Sequence, residues 1–318
     1  MNAFEIKVNG KILDYRASKQ LDLDKLAIFF AKKYKLLKLW SGGRHILGIL
    51  EKNNEKLFHN KKFFLKLATT EGISAVTKIE YKWNEQFNNL VPRQNSRFWV
   101  PRNEESGLYK DKLFFFVTDS FDGELLAEKP KKVAISNNFL NSLPSIIEFS
   151  ELIQKLNISD LSILEDSNYI ELFLNKTKAW YSDIPNDIKD KYKIYDLLKI
   201  VEEEASNLQK KVRHGDFTPW HLIKLKKGQI ELIDGEHARV NGVEYYDIGY
   251  FIQRVFSVLE NPELAQKILS LLLNRGYNLE KLTTILAARG IGGFLDESFK
   301  SHPNYNLSNR FKDWVVNQ

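Results

Sequence analysis

Residues 213–223 read RHGDFTPWHLI, and no other stretch constrains the fold of this chain as much. A long helical pattern precedes it and an apolar run of β type follows it. Pro219 fixes its own φ, offers no N–H, and pushes Thr218 out of the helical region. A helix arriving at Arg213 must therefore give way to a stiff polar loop carrying His214, Asp216 and His221. The next segment, KLKKGQIELID, reads as a two-strand hairpin turning at residues 227 and 228. Hairpin geometry can bring Asp234, 18 residues beyond Asp216, to the same end of the structure. Two carboxylates at one rim suit a general base beside a metal ligand. Glu236 adds a third acid to that corner.

Upstream, KLLKLW, HILGILE and KKFFLKLA read as strands separated by SGG and by the polar EKNNEK turn. ISAVTKIEYKWNEQFNNL places Val76, Ile79, Trp83 and Phe87 three and four residues apart, which predicts a helix. KLFFFVT is a short continuous apolar run, read as a buried strand at 112–118, and the turn-rich DSFDGE after it is the expected hinge. Helical patterns then cover about 136–156, 167–181 and 188–211, and again from Tyr246 to about Arg289. The expectation is an α+β chain with a small β-rich N-lobe over 1–118 and a larger helical C-lobe over 119–318. Strand 112–118 should end beside a ligand bound between the lobes, with Asp119 at the contact.

Two features of the first lobe bear on chemistry. Lys66 sits inside the apolar run FFLKLA, where an unpaired ammonium is costly to bury. It either snorkels to water from an edge strand or meets an acid, and Glu80, 14 residues on, lies where the following helix can turn toward it. Ser41, Gly42 and Gly43 make a turn whose backbone N–H groups could approach phosphate.

Charge is unevenly spread. Residues 1–118 carry 22 Lys and Arg against 12 Asp and Glu, or +10, and the remainder 25 against 29, or −4, matching the formal +6 of the whole chain. The basic part suits a phosphate-rich ligand, and the acidic part suits metal ions or a cationic partner. The chain has no cysteine, which excludes disulfides, zinc-thiolate sites and a Cys nucleophile, and fits a cytoplasmic protein. No apolar run reaches the roughly 18 residues of a membrane span, and the N-terminus lacks the pattern of a signal peptide. No nucleic-acid-binding motif is recognised.

The order of these parts resembles the aminoglycoside phosphotransferase and choline kinase group, distant relatives of the protein kinases. The resemblance runs from about residue 35 to 295 and is most specific in HGDFTPWHLI, LIDGEHA and YYDIGYF. It implies a bilobal protein kinase-like fold that moves the γ-phosphate of ATP or GTP to a small-molecule acceptor, with magnesium. By position, Asp216 is similar to the catalytic base and Asp234 to the magnesium-binding Asp. Lys66 corresponds to the phosphate-contacting Lys, and Glu80 to its partner. His214 resembles a loop-supporting His, and Asp247 an Asp that braces the catalytic loop from the next helix. The chain departs from the pattern at His221, where members of the group usually carry a metal-binding Asn. Imidazole nitrogen suits manganese better than an amide oxygen does, so His221 either ligates a softer ion or disables the second metal site. The resemblance leaves the acceptor open; the acidic second lobe points to a cationic one. A catalytically silent protein that binds nucleotide or a protein partner is the alternative.

Overall fold

The computed structural model describes residues 4–8, 10–53, 61–120, 122–128, 135–159, 161 and 168–318. Residues 54–56 of the EKNNEK turn, Phe121 of the expected hinge and residue 167 of an expected helix lie outside the described residues. The chain opens with a hairpin, β1 (Glu5–Val8) and β2 (Lys11–Asp14), and a helix, α1 (Leu23–Ala31). Next come β3 (Tyr34–Ser41), β4 (His45–Lys52), β5 (Phe63–Ala68), α2 (Glu71–Leu90), β6 (Phe98–Trp99), β7 (Asn103–Tyr109) and β8 (Leu113–Asp119). β3, β4, β5, β8 and β7, in that order, form one antiparallel sheet.

Apart from Lys66, β5 is apolar, because it lies between β4 and β8. Side chains alternate across a strand. Phe63, Leu65 and Leu67 therefore share the face packed with Leu26, Phe30, Phe115 and Val117, and Lys66 points the other way. α2 begins where the Thr70 hydroxyl accepts the Ile73 N–H, a side-chain cap on its first turn. Its buried Val76, Ile79, Trp83 and Phe87 join the larger core with Phe98, Phe149 and Phe217, so this helix packs into the second half of the chain.

After β8 come β9 (Gly123–Leu125), α3 (Asn137–Lys155), α4 (Tyr169–Asp183), α5 (Asn186–Lys191), α6 (Tyr195–Glu204), β10 (Lys210–Arg213), β11 (Leu222–Leu225), β12 (Ile230–Leu232) and β13 (Arg239–Val243). The remainder is helical: α7 (Tyr246–Ser257), α8 (Pro262–Asn274), α9 (Leu279–Ser298) and α10 (Asn306–Val316). The expected hairpin is β11 with β12, turning through Gly228 at φ 90°. β9 extends it on one side and β6, running parallel, on the other. This four-stranded platform joins the β-rich N-terminal region to the helical C-terminal region.

One expectation is overturned. The helix predicted over 188–211 is broken into α5 and α6, and residues 210–213 form a strand paired with β13. Lys210 and Lys211 continue the amphipathic spacing, but pairing with Gly242 and Val243 overrides that local preference. The loop 213–223 therefore leaves a strand rather than a helix. No helix among the described residues is long and apolar enough to cross a membrane.

Candidate active site

Lys66, on the inner face of β5, is buried and meets three carboxylates. Its Nζ lies 2.6 Å from Glu80 Oε2, 2.6 Å from Asp234 Oδ1 and 2.7 Å from Glu236 Oε1. Glu80 comes from α2, and the two other acids follow β12. Three carboxylates around one ammonium cannot all be equally well ionised, and their environments separate them. Burial pushes Glu80 up to about 8 in spite of Lys66. Burial works against Asp234 too, but Lys66 overrides it and holds that carboxyl well below its usual range. Glu236 is likewise buried, yet Lys66 brings it down to about 2.

Asp234 has a left-handed backbone, φ 68°, which costs a non-glycine residue about 1–2 kcal/mol. The neighbouring Gly235 allows close packing: a Cβ there would stand 2.5 Å from the Trp83 ring. The segment thus passes directly beneath α2, and its acids turn toward Lys66. From the β3–β4 turn, Arg44 Nη2 reaches Glu236 Oε2 at 2.7 Å and His45 Nε2 reaches Oε1 at 3.1 Å.

The second part of the site lies on the loop after β10. Asp247, near the start of α7, accepts the N–H groups of His214 and Gly215, both at 2.8 Å. Gly215 is required here: its φ is 84°, and a Cβ would meet the His237 carbonyl oxygen at 2.2 Å. His214 is fully buried edge-on against Trp83, and burial pushes its imidazole down to about 3, so the ring is neutral packing rather than a proton carrier. Asp216 projects from this braced turn.

His221 links Asp216 to Asp234. Its Nδ1 lies 3.0 Å from the Asp216 carbonyl oxygen, and since a carbonyl only accepts, Nδ1 carries the proton. Nε2 faces Asp234, whose Oδ2 is 3.4 Å away. One ligand atom from each of Asp216, His221 and Asp234 falls within 4.8 Å of the others, and Glu80, Asp234 and Glu236 form a second such group. The first group has two oxygens and one imidazole nitrogen, a donor set that fits a divalent cation of magnesium or manganese type.

A cleft of about 380 Å³ runs from these acids to the end of β8, between the five-stranded sheet and the β11–β12 hairpin. Gly42, Lys66, Asp119 and Ile223 all line it. Ser41 and Gly43 are exposed on the same turn and do not line it. Asp119 uses its carboxylate locally, on Arg93 Nη1 at 2.5 Å and on the Arg102 N–H at 2.7 Å. Its own N–H goes to the Arg102 carbonyl.

Arg44, His45 and Glu231 also belong to the site, although none was expected there. A basic pair directly after the Ser-Gly-Gly turn was the available signal for the first two. Glu231 gave none, since it alternates with buried Ile230 and Leu232 as a solvent-facing residue would. It lines the far end of the cleft fully buried, neither oxygen has a hydrogen-bond partner among the described residues, and burial holds it well above the usual carboxylate range.

Solved structures share this arrangement of sheet, platform and helices. A thermostable mutant of the aminoglycoside phosphotransferase APH(4)-Ia, solved with ADP and hygromycin B, is 12% identical, with a TM-score of 0.67 over 92% of this chain and 97% of that one. The chain has the protein kinase-like fold. The choline kinase LicA from Streptococcus pneumoniae matches that fold at a TM-score of 0.55 and 14% identity, over 93% of this chain and 99% of its own. A second APH(4)-Ia mutant, solved with AMP-PNP and hygromycin B, matches at a TM-score of 0.68 and 12% identity over 94% and 98%. No protein-family model and no curated protein matches the sequence.

Proposed function

We propose that this chain is a small-molecule phosphotransferase that moves the γ-phosphate of ATP to an acceptor hydroxyl. The carrying observation is the convergence of Lys66, Asp234 and His221 along one edge of the cleft, with Asp216 grouped beside His221 and Asp234. A phosphotransferase needs these parts in this order: a cation for the phosphates, ligands for a metal ion, and a base facing the acceptor. The solved APH(4)-Ia complexes with ADP and AMP-PNP support an adenine nucleotide on this fold.

In this reading the nucleotide lies in the cleft, its base near the end of β8 and its phosphates toward Lys66. The Lys66 ammonium is kept charged by Asp234 and Glu236 and positioned with Glu80, so it need not reorganise during transfer. Asp234 and His221 would hold a divalent cation, which when bound neutralises charge on the phosphate oxygens. Asp216, held by its braced turn, accepts the proton of the attacking hydroxyl. Catalysis comes from positioning and fixed charge, with no covalent enzyme intermediate.

The test has two stages. ATP with magnesium or manganese should raise the melting temperature, as any ligand of the native state does. Turnover against a panel of alcohols should then fall by about 10²–10⁴ in kcat for Asp216→Asn, with nucleotide affinity unchanged. The absence of any thermal shift at millimolar nucleotide would remove the reading. His221 in place of the family's Asn favours one competing reading, a catalytically silent nucleotide-binding protein. That reading predicts the thermal shift without turnover on any acceptor.

A further inference from the structure

Beside the catalytic loop lies a group of cations that phosphate transfer as described does not use. Arg213 ends β10 and Arg239 begins β13, and the two are direct partners in the antiparallel register. Like charges placed opposite each other in this way destabilise a strand pair. α9 adds Arg289, which is 5% exposed. Its guanidinium stands 3.7 Å from the Tyr250 ring centre, and its Nη1 donates to the Tyr246 hydroxyl at 3.1 Å. The Arg213 guanidinium covers the face of the same Tyr246 ring at 3.9 Å. α4 contributes Lys176, which donates to the Tyr15 hydroxyl at 3.2 Å.

No carboxylate among the described residues forms an ion pair with Arg213, Arg239 or Arg289. The Nε atoms of Arg213 and Arg289 are buried without a hydrogen-bond partner. Burial, reinforced by Arg239, Arg213 and Arg289, brings the Lys176 ammonium down to about 7. Burial and Arg213 likewise lower Arg239 to about 10. The cations thus repel one another in a half-buried place, and a ligand anion would relieve them.

The group adjoins the base. Arg213 precedes Asp216 by three residues, and Arg239 follows His237, whose carbonyl oxygen touches Gly215. The His237 ring meets Tyr15 at 5.8 Å. An acceptor seated against Asp216 from this side would therefore extend toward the arginines.

Resting on the phosphotransferase reading, we propose that the acceptor is an anionic alcohol whose phosphate or carboxylate group is held by Arg213, Arg239 and Arg289. Guanidinium forks match either oxyanion in a bidentate fashion. The net −4 of the second part of the chain had pointed to a cationic acceptor. That sum counts exposed acids such as Glu203 and Asp187, which form no ion pair with these arginines, whereas a ligand responds to the charges it touches.

The experiment measures thermal stability with the cleft saturated by AMP-PNP and magnesium, adding tens of millimolar inorganic phosphate or acetate against chloride at equal ionic strength. Phosphate, acetate or both should raise the melting temperature, and whichever is stronger identifies the acceptor's anionic group. The shift should vanish in Arg239→Gln and persist in Lys66→Met, tested without nucleotide. Arg239→Gln should also be no less stable than wild type in chloride, because it removes a like-charge pair. In turnover assays, an alcohol carrying the preferred anion should exceed its neutral parent by about ten-fold or more in kcat/KM. Wild-type protein that responds to neither anion, or equally to chloride, overturns the proposal. A nucleotide shift without an anion shift would remove this inference and leave the phosphotransferase reading standing. An Arg239-dependent anion shift without nucleotide binding would remove the phosphotransferase reading, and the acceptor assignment with it, and leave only an anion site at these arginines.

Discussion

Asp247 is 2% exposed and accepts the two N–H groups that shape the loop before Asp216. Burial raises its carboxyl from 3.8 to about 6, only partly offset by those bonds from His214 and Gly215. A carboxyl raised in the folded state favours the fold most when protonated. Its contribution is fully present below the unfolded value and is lost as pH rises through the folded one. A rise of this size corresponds to about 3 kcal/mol, of which about 2 kcal/mol falls between about pH 4.5 and 7.5. Asp247→Asn has no charge to lose and one carbonyl to offer, so its amide leaves one backbone N–H facing another donor. That mismatch costs about 1–3 kcal/mol for each buried donor left unpaired, at every pH. The wild type should therefore exceed the variant clearly in acid, and the gap should close by about 2 kcal/mol toward neutral pH. Urea unfolding of both proteins across this pH range gives the difference directly, because other titrating groups are common to the two. Parallel stability curves would refute the argument, showing that the two N–H bonds fully offset burial of the charge.

Lys66→Met should destabilise the protein by about 3–5 kcal/mol near neutral pH, since it leaves Glu80, Asp234 and Glu236 together without their ammonium. A loss below about 1 kcal/mol in urea unfolding would mean that Lys66 does not hold these acids together. His221→Asn replaces the Nε2 nitrogen that faces Asp234 with an amide. The ratio of manganese- to magnesium-supported nucleotide binding, read by thermal shift, should fall in this variant, and an unchanged ratio removes His221 from the metal site.

Several elements were legible because their causes are local. The three- and four-residue spacing of Val76, Ile79, Trp83 and Phe87 is the buried stripe of α2, and KLKKGQIELID folds back at Gly228. Lys66 and Glu80 could be paired on paper because a strand and the helix after it leave few ways for a central Lys to be buried. The strand at Lys210–Arg213 was not legible, since its partner β13 lies some thirty residues on and its own residues continue the preceding amphipathic pattern. Glu236 was placed in the Asp234 corner, but its ion pairs with Lys66 and Arg44 were not legible, because they need Gly235 to let the segment pass beneath α2.

Where the chain must turn, which helices and strands bury an apolar face, and the polar loop with Asp216 ahead of a hairpin ending in Asp234 are all set by local sequence. Those follow from φ limits, missing donors and hydrophobic period, all of which act within about ten residues. Beyond Lys66 with Glu80, which charges meet is set by the tertiary fold. Arg213 opposite Arg239, Arg289 over Tyr250, and three acids on one lysine are juxtapositions made by strands and helices distant in sequence. Electrostatic energy depends on separation in space and on burial, and neither is a property of a residue's place in the chain.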